Sequence, residues 1–204
     1  MVFRNIPTVT KNLLLVNILA FLATIILEQQ HFSLEYWGGL NYFMAPDFHI
    51  YQIVTYMFLH GSFAHLFFNM FALWMFGCVI ERTWGAKRFI FYYIFCGIGA
   101  GLCQDLVQFI HYGNVPVTSI TIGASGAVYA ILLAFGMTFP NEYIYLYFLM
   151  PIKTKWFVTG MIVIELLQGI FYSYDGVAHF AHLGGMLIGF LLIMWWRKHP
   201  FSRF

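Results

Sequence analysis

Charged residues are scarce in this chain: Asp, Glu, Lys and Arg together make up 9% of its 204 residues. Soluble domains carry about a quarter charged residues, so the composition excludes an ordinary water-soluble globular protein. Apolar residues take the place of the missing charge, since 61% of the chain is hydrophobic and 21% is aromatic. We therefore expect the chain to fold in a lipid bilayer.

Cysteine is also sparse. The three cysteines, Cys78, Cys96 and Cys103, fall in or beside apolar segments. An odd count in such places argues against a disulfide framework and favours simple packing roles. The formal net charge is only +2, so no nucleic-acid partner is expected.

Six apolar segments are long enough to cross a membrane, which takes about 20 residues as a helix. They cover roughly residues 12–28, 51–79, 88–110, 122–139, 156–173 and 178–196. These segments leave no room for a separate soluble domain. The sequence therefore predicts an all-α membrane protein in which residues 1–204 form one bundle of six transmembrane helices.

Lysine and arginine are absent from the predicted outer connections. If the N-terminus is cytoplasmic, all ten fall on the cytoplasmic side: Arg4, Lys11, Arg82, Lys87, Arg88, Lys153, Lys155, Arg197, Lys198 and Arg203. The charged residues assigned to the outer connections are all acidic: Glu28, Glu35, Asp47, Asp105 and Asp175. This bias predicts cytoplasmic termini, and the short loops favour a bacterial inner membrane. The oligomeric state cannot be read from the sequence.

Two connections between the spans are unusually apolar. Residues 29–50 are rich in Phe, Tyr and Trp, which settle at the membrane–water boundary, so this loop is expected to lie partly in the outer leaflet. Residues 143–150 are similarly apolar on the inner side. We expect them to form either an interfacial segment or an extension of a helix.

A few polar residues lie inside the predicted spans, where they need partners or a purpose. His65 and Asn69 are four residues apart and share one helix face. Ser125 and His182 each lie near the outer end of a span, at a similar depth of roughly 5–8 Å at 1.5 Å per residue. Matching depth on two helices is what a Ser–His hydrogen bond requires. His60 is five residues before His65, so its side chain is expected to point elsewhere.

Small residues explain how two of these spans can approach each other. Gly185 and Gly189 form one small-xxx-small face, and Gly123 and Ala127 form another. Such faces allow close contact between helix backbones. The pattern predicts that the fourth and sixth spans pack together.

At these positions the chain resembles the rhomboid family of intramembrane serine proteases. Three motifs carry the resemblance: Gly-x-Ser-Gly at 123–126, Ala-His-x-x-Gly-x-x-x-Gly at 181–189, and His-x-x-x-x-His-x-x-x-Asn at 60–69. They occur in the family's order within roughly residues 50–190. The first outer loop departs from the pattern, because Trp37 is followed by Gly38 where many members have arginine.

The resemblance implies that Ser125 is the nucleophile and that His182 is the general base and then the general acid. It also implies that His65, Asn69 and the backbone N–H of Ser125 form an oxyanion hole. The implied substrates are transmembrane segments of other proteins, which enter sideways from the lipid bilayer past the fifth span. Neither a cofactor nor a metal is expected.

The resemblance further implies supporting roles for residues around this pair. Tyr129, one turn after Ser125, would pack against the ring of His182. His60 would help to hold the first loop, and Gly123 and Gly185 would let the chain approach closely at the site.

Soluble serine proteases use a carboxylate to orient the histidine, but no Asp or Glu lies near either motif in the sequence. The exception, Asp175, is expected too close to the surface. We therefore expect a Ser–His dyad, in which packing against Tyr129 holds the imidazole.

Two other functions are compatible with the sequence. One is a catalytically silent rhomboid-like protein that binds membrane clients, although such relatives usually lack the serine or the histidine. The other is a metal or proton transporter built from histidines, namely His60, His65, His179 and His182. It is disfavoured because His60 and His65 are expected to diverge and no carboxylate is expected at the depth of the histidines.

Two further residues have competing interpretations. Glu165, in the middle of the fifth span, is expected to be a hydrogen-bonded structural acid rather than a proton carrier. His179 could replace His182 as the base, but only His182 is followed by the glycine pair that brings helices together.

Overall fold

The computed structural model describes residues 6–115, 117–146, 150–171 and 178–199. Arg4, Asp175 and Arg203, which enter the orientation prediction, lie outside these ranges. The helices of the described part are, in chain order, α1 Thr8–Glu28, α2 Leu34–Gly38, α3 Gln52–Thr55, α4 Phe63–Trp84, α5 Ala86–Tyr112, α6 Ser125–Thr138, α7 Thr154–Phe171 and α8 His179–Lys198. This architecture confirms the prediction of an all-α membrane bundle.

Within the described ranges, five helices are long and apolar enough to cross a membrane: α1, α4, α5, α7 and α8. The helix α6 is apolar but only 14 residues long. It is enclosed by the others, since nine of its residues are buried. A helix that is apolar on all sides belongs in the centre of a bundle, and this position places the start of α6 inside the protein.

The predicted second span, residues 51–79, is wrong at its beginning. Residues 52–58 form α3 and a short 3-10 turn, and α4 begins only at Phe63. Ser62 caps α4, because its Oγ accepts a hydrogen bond from the backbone N–H of His65 at 3.1 Å. A serine in extended conformation is a preferred N-cap, but the uniformly apolar composition around it hid this break. The other predicted spans agree with the helices to within a few residues, except that residues 172–173 are not described.

The segment 143–150 does not extend a helix. Residues Tyr143–Leu146 pair antiparallel with residues Met150–Lys153, with Ile144 opposite Ile152. The hydroxyl of Thr154 then donates to the carbonyl of Glu142 at 2.9 Å and closes the hairpin where α7 begins. Alternating exposed aromatic residues suit a strand as well as an interfacial helix, so composition alone could not separate the two.

The loop between α1 and α3 is organised by one buried amide, that of Gln52. Its Nε2 donates to the carbonyls of Trp37 at 3.2 Å and Asp47 at 3.1 Å. Its Oε1 accepts from the backbone N–H groups of Asn41 at 3.3 Å and His49 at 3.1 Å. Four backbone groups of the loop are thus satisfied by one side chain. The loop is anchored even though Trp37 is not followed by arginine.

The same loop is tied to the segment that precedes α6. Residues Leu40–Asn41 pair antiparallel with Ile120–Thr121 in a two-stranded sheet. This pairing holds the turn before α6 against the first loop, and α6 begins with Ser125.

Candidate active site

Ser125 is the first residue of α6, and the turn before it depends on Gly123. The φ angle of Gly123 is 125°, a conformation that residues with a side chain rarely adopt. Its N–H donates to the carbonyl of Tyr56 at 2.9 Å. A Cβ at this position would lie 2.7 Å from Nε2 of His65. Glycine is therefore required here, both for the turn and for the close approach of His65.

Ser125 and His182 are in direct contact. Nε2 of His182 lies 2.8 Å from Oγ of Ser125. The ring of Tyr129 stacks on the imidazole, with centroids 4.3 Å apart and an interplanar angle of 8°, as the family resemblance implies. A hydroxyl and an imidazole at hydrogen-bond distance are the arrangement of an activated nucleophile and its base. His182, rather than His179, makes this contact.

The contact is possible because α6 and α8 approach at glycines. A Cβ on Gly185 would lie 2.1 Å from the carbonyl oxygen of Gly126, so no larger residue fits between the two backbones. A Cβ on Gly126 would in turn lie 2.4 Å from Cβ of Ala100 on α5. The predicted packing of the fourth and sixth spans is confirmed. The residue opposite Gly185 is Gly126, whereas the small-residue pattern indicated Gly123 and Ala127.

His65 and Asn69 lie in the first two turns of α4 and line the same cavity as Ser125. The cavity has a volume of about 670 Å³. The side-chain amide of Asn69 donates one N–H to the carbonyl of His65 at 3.1 Å, which fixes its orientation. An asparagine amide has a second N–H. The structure thus brings both predicted hydrogen-bond donors to the wall that surrounds the Ser125 hydroxyl.

His60 does not point away from His65, so that expectation was wrong. Their rings meet edge to face, with centroids 4.9 Å apart. The expectation assumed that both residues lie on one helix, but α4 begins after His60. Burial, reinforced by the nearby His65, lowers the pKa of His60 to about 4. The buried His60 ring is therefore neutral at physiological pH and places no charge beside His65.

A carboxylate contacts His182, which the sequence pattern did not indicate. Oε2 of the buried Glu165 lies 2.9 Å from Nδ1 of His182 and 2.7 Å from Nδ1 of His179. The hydroxyl of Tyr129 donates to the other carboxylate oxygen, Oε1. The expectation that no Asp or Glu lies near the serine and histidine motifs was therefore wrong. Asp175, the acid that was weighed in its place, lies outside the described residues.

The physical reason is that α7 and α8 pack against each other close to the connection between them. Gly169 of α7 allows this approach, since a Cβ there would lie 3.2 Å from the ring of Phe180. Glu165 is six residues before the end of α7 at Phe171, or about 9 Å along the axis at 1.5 Å per residue. The sequence signal was Glu165 itself, because an acid inside an apolar span requires a partner.

The contacts of Glu165 with the two histidines also bear on the alternative prediction of a metal or proton transporter. The ligand atoms of Glu165, His179 and His182 lie within 4.8 Å of one another, close enough for a metal ion. The expectation that no carboxylate shares the depth of the histidines was therefore wrong for His179 and His182. The expectation that Glu165 is a hydrogen-bonded acid agrees with its three contacts.

The structure adds Gln104 of α5 to the cavity wall. Its Oε1 is buried and has no hydrogen-bond partner among the described residues. The sequence contained a signal for this residue, namely an amide inside an apolar span. It was not recognised because Gln104 belongs to none of the three motifs.

Comparison with known proteins agrees with the resemblance to the rhomboid family. A family model described as Rhomboid domain matches residues 47–199. The chain is 31% identical over 171 residues to Rhomboid-like protein 11, chloroplastic, of Arabidopsis thaliana, a match that covers 74% of the chain and 54% of that protein.

Two bacterial proteins are similar as well. The chain is 27% identical over 207 residues to Rhomboid protease AarA of Providencia stuartii, which covers 90% of the chain and 70% of AarA. It is 28% identical over 145 residues to Putative rhomboid protease YdcA of Bacillus subtilis, covering 70% of the chain and 67% of YdcA. The chain thus spans about half the length of the Arabidopsis relative and about two thirds of the bacterial ones.

Proposed function

Because the chain belongs to the rhomboid family, we propose that it is an intramembrane serine endopeptidase that cleaves transmembrane segments of other proteins. The observation that carries this proposal is the 2.8 Å contact between Oγ of Ser125 and Nε2 of His182. The two atoms meet at the wall of a cavity of about 670 Å³. Similarity to bacterial rhomboid proteases supports the same class of reaction.

The reaction follows from this pair. Oγ of Ser125 attacks the peptide carbonyl carbon while Nε2 of His182 accepts the hydroxyl proton. The tetrahedral intermediate collapses as His182 returns that proton to the leaving amine nitrogen, and the peptide C–N bond breaks. Water, deprotonated by His182, then attacks the acyl ester carbon. As the ester C–O bond breaks, His182 returns the proton to Oγ and regenerates Ser125. The reaction consumes one water molecule and needs no oxidant, cofactor or metal.

The negative oxygen of the intermediate needs hydrogen-bond donors. The side chains of His65 and Asn69 line the same cavity as Ser125, and together with the backbone N–H of Ser125 they are the donors that we propose for this oxygen. Donors that are held in place before the reaction stabilise this charge most effectively. The Asn69 amide is held in this way by its bond to the His65 carbonyl.

Replacing Asn69 with alanine is expected to lower kcat by about 10²- to 10³-fold, the usual cost of removing one oxyanion donor. KM should change little, because the donor acts on a charge that exists only in the transition state. Steady-state cleavage of a single-span substrate measures both constants. Asn17→Ala on α1 is the matched control, since Asn17 is a buried asparagine that also donates to a carbonyl four residues earlier. A loss of equal size in both variants would contradict the oxyanion role.

Substrates are proposed to reach the cavity from the lipid bilayer past α7. Only four residues of this 18-residue helix are buried, so most of its surface does not pack on the bundle. The distribution of Lys and Arg supports cytoplasmic termini and a site that opens to the outer side. A bacterial inner membrane is the compartment that we propose.

The test is covalent capture together with cleavage, using the purified protein in liposomes. The wild type is expected to react with a fluorophosphonate probe at Ser125 and to cleave a single-span substrate, whereas Ser125→Ala should do neither. Ser119→Ala is the matched control, because Ser119 lies on the same cavity wall but its Oγ accepts a hydrogen bond from Gln108. Labelling of Ser125 should persist in that variant. Substrate binding without labelling or cleavage would instead favour a client-binding protein, and cleavage by Ser125→Ala would refute the proposal.

A further inference from the structure

Glu165 has no part in the reaction as written above, although its carboxylate contacts His182. It lies on α7, its side chain is buried, and its carboxylate faces the side of His182 opposite to Ser125. The two ring nitrogens of His182 are therefore both engaged, Nε2 by a hydroxyl and Nδ1 by a carboxylate. Placing a carboxylate in a membrane span is costly, so an acid at this position needs an explanation.

The explanation lies in the position of the imidazole protons. Ser125 can donate its hydroxyl proton to Nε2 only if Nε2 carries none, so Nδ1 of a neutral ring must be the protonated nitrogen. A protonated Nδ1 needs an acceptor, and Oε2 of Glu165 lies 2.9 Å away. A carboxylate in this position selects the productive tautomer and stabilises the imidazolium that forms when Ser125 reacts.

Stacking on Tyr129 cannot supply this selection. The nearly parallel rings, 4.3 Å apart, restrict the plane of the imidazole. Stacking does not distinguish one ring nitrogen from the other, and a ring turned by 180° about the Cβ–Cγ bond would stack equally well. A hydrogen-bond acceptor at Nδ1 fixes both the nitrogen that carries the proton and the orientation of the ring.

The carboxylate is itself held in place by two further donors. The hydroxyl of Tyr129 donates to Oε1, and His179 contacts Oε2 at 2.7 Å. These contacts come from α6 and α8, so Glu165 joins three helices at the site. Three donors also compensate for removing the negative charge from water.

We propose that Glu165 is the positioning residue of His182, so that this chain uses a Ser125–His182–Glu165 triad rather than a dyad. The proposal rests on the proposed protease function. In this arrangement His179 and Tyr129 orient the acid, the acid orients the base, and the base activates the nucleophile. No proton moves to Glu165; the protons taken from Ser125 and from water pass through Nε2 of His182, while Nδ1 keeps its own.

The first test is Glu165→Gln in the full-length protein in liposomes, with cleavage measured over a range of substrate concentrations. Glutamine has nearly the same shape, but its NH₂ group can satisfy the wrong tautomer of His182. We expect kcat to fall about 10²- to 10⁴-fold, with KM within about threefold of the wild-type value. Glu165→Asp keeps the carboxylate and should recover part of this loss. The matched control Glu28→Gln, at the exposed end of α1, should leave both constants unchanged.

The second test reads the tautomer without turnover, by ¹⁵N NMR of histidine-labelled protein. In the wild type, Nδ1 of His182 should carry the proton, and in Glu165→Gln a substantial share should move to Nε2. This result would stand even if the wild type failed to cleave any substrate, so failure of the protease proposal is distinguishable from failure of this one. An unchanged tautomer, or a kcat that falls only in proportion to the loss of folded protein, would overturn the positioning role.

A metal at Glu165, His179 and His182 would also make Glu165 essential. The same assays are therefore repeated after chelation and after addition of Zn²⁺. Full activity of the chelated enzyme supports the positioning role. Activity that is lost on chelation and restored by Zn²⁺ would overturn it in favour of a metal centre.

Discussion

Replacing His182 with alanine is expected to lower the rate of substrate cleavage by about 10⁴- to 10⁶-fold, the range found when one member of a serine–histidine unit is removed. Without the imidazole, Ser125 has no acceptor for its proton, and the leaving amine has no donor. The residual rate would come from substrate positioning and from the oxyanion donors alone. Single-turnover cleavage in liposomes, with the enzyme in excess, measures rates this low.

The double variant Ser125→Ala/His182→Ala tests whether the two residues act as one unit. Residues that act as one unit are strongly non-additive, so the double variant should be no slower than either single variant. His199→Ala is the matched control, because His199 lies at the exposed end of α8, where it contacts the carbonyl of Trp195. A residual rate within 100-fold of the wild type in His182→Ala would show that another base serves Ser125.

Replacing Gly185 with alanine is expected to damage both folding and catalysis. The new Cβ would lie 2.1 Å from the carbonyl oxygen of Gly126, and because that atom belongs to the backbone, α6 and α8 would have to separate. Forcing an extra carbon into such a contact costs about 1–3 kcal/mol of unfolding free energy, occasionally more. Ser125 precedes Gly126 and His182 lies one turn before Gly185, so a shift of about 1 Å between them would lower the cleavage rate about 10²-fold.

Gly160→Ala offers a closely matched control on α7. A Cβ there would have no heavy atom within 4 Å, and alanine favours a helix over glycine by about 0.5–1 kcal/mol. Unfolding in a titration with denaturing detergent should therefore shift in opposite directions for the two variants. Equal stability and activity of Gly185→Ala and the wild type would mean that α6 and α8 are not pressed together at this point.

The features behind the His182 and Gly185 predictions could be recognised in the sequence to different degrees. The Ser125–His182 pair was visible in the sequence because both residues stand among small residues near the outer ends of apolar segments. The contact between Gly185 and Gly126 was visible only in part. Residue size indicated that the two helices approach, but which glycine lies opposite Gly185 depends on how α6 is rotated about its axis. That rotation is set by packing against several neighbours at once.

The composition and order of residues determined that this chain is a helical membrane protein and placed the apolar segments within a few residues, except for the beginning of the second. They also singled out Ser125, His182, His65 and Asn69. These features are local, since they depend on hydropathy along a segment and on helical spacing. Family membership was established by a match that extends over residues 47–199.

Only the tertiary structure decided that Glu165 lies against His182 and that α4 begins at Phe63 and turns His60 towards His65. It also decided that residues 143–146 pair with residues 150–153 as strands instead of extending a helix. Each of these outcomes depends on contacts between segments that are distant in the sequence or on a choice between two local structures of similar free energy. The apolar pattern along the sequence determines neither the distant contacts nor the choice between local structures. A lone acid in a span therefore shows that a partner must exist, and the packing of α7 on α8 selects His182 and His179 as its partners.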